Sequence, residues 1–466
     1  MGLVKIINGS EFNAVFPCLS READDEATNA AVREIIAAVR KEGDTAVTRY
    51  AARFEKSSPP EFEVPLDLAK EAWEKLKVSD PDLAASLSFA ADNIRRFAEL
   101  QKEPFADFEA EIAPGLFTGQ RVIPVERAAV YVPSGRFPLV SSALMGLIPA
   151  AVAGVGERFL VSPPGEDGLP DRRILAAAYL AGASRVFALG GAQAIAALAL
   201  GTRTVPRVDM IVGPGNKYVA AAKRLLFGEV GIDLIAGPTD VLIITDTSGN
   251  DVAADLNARA ADLIALAADL IAADTLAQAE HDPDARARVL APDREMAEMI
   301  EQALERRLAA LDTAATARAS LEAGGLIVVY ESKEEAIAIA NRVAPEHLEL
   351  HVSSPAEWTG GLRNYGSLFI GHAAAEALGD YSAGINHTLP TATSARFTGG
   401  LSVRNFLKTL TTLRCAPGKA YDEALAAAQT IARAEGLSAH AESVALRTSG
   451  ALKLNAGFYP KETRAP

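Results

Sequence analysis

Two neutral side chains that can bind a metal stand three residues apart in the stretch QAEH at 278–281. The preceding run, 252–276, is rich in Ala, Leu and Asp and predicts a long helix, so Gln278 and His281 leave the same helix face. Asp282-Pro283 ends this helix, because the residue before a proline avoids the helical conformation. An amide oxygen and an imidazole beside acidic residues suit zinc if the fold brings further ligands. An exposed polar helix end is the alternative.

A histidine directly after a glutamate, Glu346-His347, forms a second candidate site just past a helix predicted at 334–343. Imidazole titrates near neutral pH and can therefore accept and return a proton. An adjacent carboxylate suits general base catalysis. A surface turn that contains both residues is the alternative. Two other histidines, His351 and His372, carry no supporting pattern, and we interpret them as structural or exposed.

Polar loops hold the remaining candidate groups. The glycine-flanked stretch 379–387 carries one carboxylate, Asp380, and one imidazole, His387. Near the C-terminus, a glycine turn between two predicted helices separates Glu435 from His440. Functional groups concentrate on loops that a scaffold holds. Such loops are also ordinary turns, and His440 alone is typical of a surface histidine.

Three glycine turns, at 131–135, 190–193 and 213–216, each lie at the end of a predicted strand. The last two also open a predicted helix, and a helix N-terminus can bind a phosphate. Carboxyl ends of parallel strands cluster at one edge of a sheet, where such folds bind ligands. The full dinucleotide fingerprint is missing, because Tyr218 stands where a third glycine would be. A tight strand-to-helix turn without a ligand is the alternative.

Composition bounds the class of protein. The chain has 466 residues, 49% of them hydrophobic, which is enough for a large core divided over two or three domains. A formal net charge of −14 argues against a nucleic-acid partner. Cys18 and Cys415 lie far apart, which argues against a disulfide framework and favours a reducing cytoplasm. The sequence predicts no signal peptide and no membrane span.

Strands alternate with helices from Tyr131 onward, which predicts parallel strands with helical crossovers. We expect an α/β fold of two Rossmann-like, incomplete doubly wound domains, one inserted in the other, with small helical N- and C-terminal tails. The segments 232–235 and 241–244 are predicted to return the chain to the first domain. The expected parts are an N-terminal arm at 1–25, a first domain at 26–130 and 238–400, an inserted domain at 131–237, and a helical tail at 401–466.

Taken together, these segments resemble the histidinol dehydrogenase family. The matching stretches, in chain order, are YVPSGRFPLVSSALMGLIPAAVAGV, LGGAQAIAALALGT, VDMIVGPGNKYVAAAKR, GIDLIAGPTDVLI, AQAEHDPDA, APEHLEL, GDYSAGINHTLPT and AEGLSAH. They lie after about residue 120, and the resemblance before them is vaguer.

The resemblance implies a cytoplasmic homodimer that oxidises L-histidinol to L-histidine through L-histidinaldehyde with two NAD per turnover. One zinc per subunit would be held by four ligands, which are Gln278, His281, Asp380 and His440. His347 would remove the alcohol proton as hydride leaves for NAD. Glu346 would activate the water that hydrates the aldehyde.

Further contacts follow from the same resemblance. The zinc ligands and His347 would also touch the substrate, together with Thr239, His387 and Glu435. The inserted domain would bind NAD through Tyr131, Gln193 and Asn216. The C-terminal tail would carry Glu435 and His440 into the site of the partner subunit.

This sequence departs from the family pattern at Ser134, where glycine is common, and at Thr239, where serine is frequent. The helical run before Gln278 is longer than usual. The stretch ARFTGGLSV also resembles relatives that oxidise other alcohols, such as a sulfonated propanediol. The alternatives are therefore a paralogue for another small alcohol, a zinc hydrolase that leaves the glycine turns unexplained, and a non-catalytic binding protein.

Overall fold

The computed structural model describes residues 2–16, 26–59, 61–134, 138–235, 237–246 and 260–448. The chain divides into two compact units. The first comprises Met1–Gln101 and Val125–Phe406, and the second comprises Lys102–Pro124 and Leu407–Pro466. Within the described ranges, every helix is too short or too polar to cross a membrane.

The strands of these ranges follow one another along the chain as β1 Lys5–Asn8, β2 Glu63–Val64, β3 Phe108–Ala113, β4 Leu116–Pro124, β5 Arg127–Tyr131, β6 Glu157–Ser162, β7 Arg185–Ala188, β8 Met210–Val212, β9 Gly231–Ile232, β10 Asp240–Thr245, β11 Arg286–Ala291, β12 Leu326–Val329, β13 His347–His351, β14 Ser367–Ile370 and β15 Leu407–Cys415.

The helices are α1 Gly9–Val15, α2 Glu26–Glu42, α3 Asp44–Phe54, α4 Leu66–Ser79, α5 Pro81–Lys102, α6 Val140–Ala153, α7 Arg172–Leu180, α8 Gly191–Leu200, α9 Lys217–Leu226, α10 Ala260–Ala279, α11 Arg294–Leu308, α12 Ala314–Gly324, α13 Lys333–Val343, α14 Ala356–Thr359, α15 Glu376–Tyr381, α16 Lys419–Ala434 and α17 Ser438–Thr448. Short 3-10 turns lie at Ser394–Arg396 and Val403–Phe406.

One sheet of the first unit, called here sheet A, has the strand order β1-β12-β11-β10-β13-β14 and is parallel throughout. Its central strand β10, DVLIIT, is buried along its whole length. A continuous apolar run of this kind is typical of a parallel strand covered on both faces. Helices α10, α11 and α12 cover one face, and α1 and α13 cover the other.

The other sheet of the first unit, called here sheet B, has the order β2-β7-β6-β5-β8-β9. Its strands are parallel except β2, which pairs antiparallel with β7. Strands β6 and β7 lie in succession on one side of β5, whereas β8 lies on the other side. This reversal of the strand order creates a switch point between β5 and β8. The buried faces of α2, α3, α8 and α9 pack together on this sheet.

The second unit contains an antiparallel sheet of order β15-β4-β3, together with α16 and α17. The prediction of a helical tail after residue 401 is therefore wrong for Leu407–Cys415. This segment, LKTLTTLRC, is rich in threonine and leucine, and it pairs along its whole length with Leu116–Pro124. Threonine favours strands because its branched side chain packs well on a pleated surface.

The α/β fold with Rossmann-like parallel sheets is confirmed, but sheet membership differs from the predicted grouping. The segment 26–130 was expected to join 238–400, whereas β2, β5 and α2 belong with sheet B. The cause is the apolar face of α2, which packs on α8 and α9. Strand β9 pairs with β8 and does not return the chain to sheet A.

The N-terminal arm also differs from its prediction. Its strand β1 is an edge strand of sheet A, paired with β12, so the first residues are part of that sheet. The predicted helix at 252–276 is observed from Ala260, and its earlier residues lie outside the described part of the chain.

Candidate active site

Glu346 and Thr239 lie side by side, because each directly precedes one of two paired strands. The strands β10 and β13 are neighbours, with Val241 opposite His347. The Thr239 hydroxyl lies within hydrogen-bonding distance of Glu346 Oε2. The Asp240 amide donates to the same oxygen at 3.2 Å, and the Glu346 amide donates to Asp240 Oδ1 at 3.1 Å. The amino edge of sheet A therefore fixes both the backbone and the carboxylate of Glu346.

A buried ion pair supports this arrangement. Arg288, on the adjacent strand β11, approaches Asp240 to 3.3 Å, and both side chains are almost inaccessible to solvent. Burial raises the pKa of Glu346 to about 7, although the neighbouring His347 acts to lower it. A carboxylate with a pKa near neutrality can exchange a proton at physiological pH, as a general base must.

Gln278 lies at the C-terminal end of α10 and is fully buried. With its amide in the orientation that satisfies both neighbours, Nε2 donates to Glu376 at 2.8 Å. The amide oxygen then lies 2.8 Å from the Thr239 hydroxyl, for whose single proton it competes with Glu346 Oε2. The helix end is thus joined to α15 and to the residue before β10.

His347 is buried between acidic groups. Its Nδ1 lies 3.6 Å from Glu376 Oε1, and its Nε2 lies 3.6 Å from Asp380 Oδ1. Burial acts to lower the pKa of His347, but the carboxyl groups of Glu376, Glu346 and Asp380 raise it well above its usual value. Nε2 is inaccessible to solvent and has no hydrogen-bond partner, which leaves a buried polar atom unsatisfied.

Three side chains converge where a metal was predicted. One oxygen or nitrogen atom of each of His281, Glu376 and Asp380 lies within 4.8 Å of the others. The amide of Gln278 contacts the same Glu376 carboxyl. The predicted ligands Gln278, His281 and Asp380 are therefore brought together. The imidazole of His281 and the carboxylate of Asp380 suit zinc, and Gln278 would complete this donor set when its amide turns the oxygen, rather than the nitrogen, towards Glu376.

His387 links this cluster to sheet B. Its Nδ1 lies 3.0 Å from the carbonyl oxygen of Asp380, and its Nε2 lies 3.2 Å from the hydroxyl of Ser142 on α6. A carbonyl can only accept, so Nδ1 donates, and Nε2 accepts from the hydroxyl. Burial lowers the pKa of His387, which keeps the imidazole neutral for this arrangement.

The residues predicted to contact NAD occupy the carboxyl edge of sheet B. Tyr131 ends β5, and its hydroxyl accepts from the amide of Gly191 at 3.1 Å. Gln193 lies in the first turn of α8 and donates through Nε2 to Glu55 at 2.8 Å. Burial raises the pKa of Tyr131 to about 12, so its hydroxyl stays protonated.

The turn after β8 is built for close backbone packing. Gly213 has φ of +106°, and a Cβ there would overlap the carbonyl oxygen of Tyr131 across the switch point. A buried ion pair between Lys223 and Asp233 binds the carbonyl and the amide of this glycine. Asn216 caps α9, because its side-chain oxygen accepts hydrogen bonds from two backbone amides. The start of this helix follows the turn after β8 and therefore lies at the crevice.

Two predicted site residues belong to the second unit. Glu435 directly follows α16 and His440 lies in the first turn of α17, and both are exposed. Their predicted role concerns a partner chain and stays a prediction.

Sequence reasoning missed three residues that support the candidate site. Glu376 stands four residues before Asp380 on α15, so helical spacing could have found it if that segment had been predicted as a helix. Glu55 and Arg288 carry no local signal, because the groups that they bind are distant in sequence. His351 and His372, predicted to be structural or exposed, are in contact with each other.

Comparison with known proteins supplies independent findings. The profile of the family described as Histidinol dehydrogenase matches residues 19–448. The histidinol dehydrogenase of Thermus thermophilus is 46% identical over 416 residues, which cover 89% of this chain and 93% of that protein. That of Methylococcus capsulatus is 43% identical over 431 residues, or 91% and 93% of the two chains. The crystal structure of histidinol dehydrogenase from Elizabethkingia anophelis has a TM-score of 0.85 at 32% identity, covering 96% of this chain and 98% of that one.

Proposed function

The chain belongs to the histidinol dehydrogenase family and is therefore an oxidoreductase, and we propose that it oxidises L-histidinol to L-histidine through L-histidinaldehyde. Each turnover transfers two hydrides to NAD, and the product gives the enzyme its place in histidine biosynthesis. The observation that supports the proposal is the convergence of Glu346 and His347 with Gln278, His281 and Asp380. Membership of an oxidoreductase family argues against the zinc-hydrolase and non-catalytic alternatives.

Zinc is the metal that we assign to this cluster. Gln278, His281 and Asp380 would hold it, with His440 supplied by the second chain of a homodimer. When bound, the ion would orient the substrate nitrogen atoms, and its charge would offset the carboxylates that raise the pKa of His347. A neutral imidazole is the form that can act as a base.

His347 accepts the proton of the alcohol while hydride passes from the carbinol carbon to the nicotinamide. The product of this step is the aldehyde. Glu346 then takes a proton from water as the oxygen of that water adds to the aldehyde carbon, and His347 returns its proton to the former carbonyl oxygen. His347 accepts a proton from the resulting hydrate as the second hydride leaves, which gives the carboxylic acid. Its burial excludes bulk water from these transfers.

NAD would bind in the crevice at the switch point between β5 and β8, where Tyr131, Gln193 and Asn216 lie. The contact between Ser142 and His387 connects this edge of sheet B with the metal cluster. Thr239 and His387, together with Glu435 of the second chain, would contact the substrate. The closely packed backbone at Gly213 favours a preformed cofactor site.

One stoichiometry tests the reaction. We expect two NADH for each L-histidinol consumed by the zinc-loaded protein, and L-histidine as the product. A sulfonated propanediol serves as the comparison substrate, because ARFTGGLSV resembles relatives that oxidise it. NADH from the propanediol and none from histidinol would contradict the proposed substrate while keeping the chemistry. No NADH from either alcohol would contradict both.

A further inference from the structure

A second group of titratable side chains lies behind the candidate active site. Asp274, Glu349 and His351 each place an oxygen or nitrogen atom within 4.8 Å of the others. Asp274 stands one helical turn before Gln278 on α10, so both side chains leave the same helix face. Glu349 stands two residues after His347 on β13, so both point to the same face of sheet A. The group therefore connects the helix of a predicted metal ligand with the strand of the predicted base.

His351 forms two short contacts within this group. Its Nε2 lies 2.7 Å from Glu349 Oε2, and its Nδ1 lies 2.7 Å from Nδ1 of His372. Burial lowers the pKa of His351 to about 4, so the imidazole is neutral at pH 7 and carries one proton. Both contacts are satisfied when His372 donates to Nδ1 and His351 donates from Nε2 to Glu349.

Glu349 has a second oxygen that this arrangement does not satisfy. Oε1 is buried and has no partner as long as every neighbouring carboxyl is ionised. An oxygen of Asp274 lies within 4.8 Å of Glu349, and interaction between the two carboxyl groups is among the causes that shift the pKa of each. Two carboxylates this close in a buried site cannot both stay ionised without a large cost. Burial raises the pKa of Asp274 and that of Glu349 to about 7 each, so a proton is retained near neutrality.

Other charged groups face the pair from the surrounding elements, and the pair still retains a proton near neutrality in their presence. Burial is the largest influence on both carboxyls, whereas the neighbouring charges act in opposite directions. They are His347 and His351 on β13, His372 after β14, Glu376 on α15 and Arg307 on α11.

We propose that Asp274 and Glu349 share one proton and form a positioning pair that holds Gln278 and His347 in register. The hydrogen bond through this proton joins α10 to β13 one helical turn from the metal cluster. Loss of the proton above neutral pH places two negative charges side by side in a buried site. The end of α10 then moves away from β13, and Gln278 moves with it. The effect on the metal rests on the proposed function, whereas the shared proton does not.

A second metal ion is the competing explanation for three such side chains. In a tetrahedral zinc site with bonds near 2.0 Å, neighbouring ligand atoms stand roughly 3.3 Å apart. The separation of 2.7 Å between His351 Nε2 and Glu349 Oε2 is shorter and matches a hydrogen bond. The geometry therefore favours a proton, and metal counting can decide between the two.

The experiment compares Asp274→Asn, which can still donate a hydrogen bond to Glu349, with Asp274→Ala, which cannot. Zinc affinity is measured by chelator competition at pH 6.5 and pH 9, and kcat and KM are measured at both values. We expect the zinc affinity of the Asn variant to equal that of the wild type within about twofold at pH 6.5. At pH 9 the Asn variant should bind zinc about tenfold more tightly than the wild type. The Ala variant should bind zinc about tenfold more weakly than the wild type at pH 6.5 and lose kcat more than KM there, whereas at pH 9, where the wild type has lost the shared proton, the two proteins should bind zinc alike.

Controls separate this proposal from simpler causes. Asp269→Asn removes a carboxylate from the same helix that pairs with arginines of α11, and it should follow the wild type at both pH values. Glu349→Gln provides a second test if the Asp274 variants fail to fold, because its amide can donate to Asp274. Zinc binding by the Asn variant with the same pH dependence as the wild type would overturn the proposal. A second metal per chain in the wild type, absent from the Asn variant, would also overturn it.

Melting temperature keeps the test independent of the proposed function. The raised pKa values mean that the folded protein binds the extra proton more tightly than the unfolded chain. The retained proton stabilises the folded protein fully below the pKa near 4 that these carboxyls have in the unfolded chain. This stabilisation is lost as the pH rises to about 7. The melting temperature of the wild type, relative to that of Asp274→Asn, should therefore fall between pH 5 and pH 8. A difference in melting temperature that does not change with pH would contradict the shared proton. If the difference falls as expected but the protein binds no zinc or forms no NADH, only the proposed function is contradicted.

Discussion

His347 lies between acidic groups on both sides of its ring, and Glu346 precedes it in the chain. Its unsatisfied Nε2 points to a missing partner, which the alcohol of a substrate would supply. Residue types and adjacency in the sequence singled out this pair as a candidate site; both residues are buried, which excludes the surface turn, and their catalytic role stays a prediction. The acids that surround it were predicted only in part, because Glu376 carries no motif in the order of the chain.

Replacement of His347 tests its role as a base. His347→Asn preserves a side chain of similar polarity but cannot accept the proton, so turnover should fall by about a hundredfold or more. Zinc content per chain should stay unchanged, since His347 is not among the expected ligands. Steady-state NADH formation and metal analysis of the same preparation measure both. Turnover equal to that of the wild type would remove His347 from the mechanism.

Glu346 gives a prediction about pH. Its pKa of about 7 means that the ionised form, which accepts the proton of water, increases as the pH rises through neutrality. Oxidation of added L-histidinaldehyde should therefore speed up from pH 6 to pH 8. Glu346→Gln should lose this rise and release aldehyde, with fewer than two NADH per histidinol. Its zinc content provides the control, and an unchanged pH profile would contradict the assignment.

Elements rather than single residues decide how the site is held. The sequence predicted α13 well, because the helix expected at 334–343 is observed at Lys333–Val343. It did not predict α15, which has only six residues and contains Gly379. The sequence also did not predict which strands pair with each other, because neighbouring parallel strands lie far apart in sequence.

The ion pair between Arg288 and Asp240 is expected to stabilise β10 and β11 against separation. Arg288→Met would leave a buried carboxylate without its partner, and the free energy of unfolding should fall by about 3–5 kcal/mol. Denaturant unfolding monitored by circular dichroism measures this change. Arg294→Met removes an exposed pair with Glu298 and should cost about 0.5 kcal/mol or less. Equal losses in the two variants would contradict a special role for the buried pair.

The turn after β8 gives a prediction about the cofactor. Gly213→Ala would force a Cβ against the carbonyl of Tyr131 at a positive φ, so the turn must shift. We expect NAD to bind about tenfold more weakly, in line with local strain of about 1–3 kcal/mol. Calorimetric titration with NAD measures the affinity. Gly228→Ala, also at a positive φ but with open space around its Cβ, is the matched control, and comparable losses would indicate general destabilisation.

At the scale of the whole molecule, the proposed function assigns His440 and Glu435 of one chain to the site of its partner, so we expect each site to need two chains. Mixing inactive His347→Asn chains with inactive His440→Asn chains should then restore activity. Each mixed dimer would contain one site with an intact base and an intact ligand, so about a quarter of all sites should be active after random exchange. NADH formation before and after exchange measures this, and its absence despite proven mixed dimers would contradict the shared site.

The antiparallel sheet of the second unit has a consequence for synthesis of the chain. Its strand β4 ends at Pro124, and its partner β15 begins only at Leu407, so the larger part of the first unit, Val125–Phe406, leaves the ribosome between them. Pairing over such a separation is slow, because a long loop must close before any contact forms. The nascent chain can thus complete both parallel sheets while β4 still lacks its long neighbour.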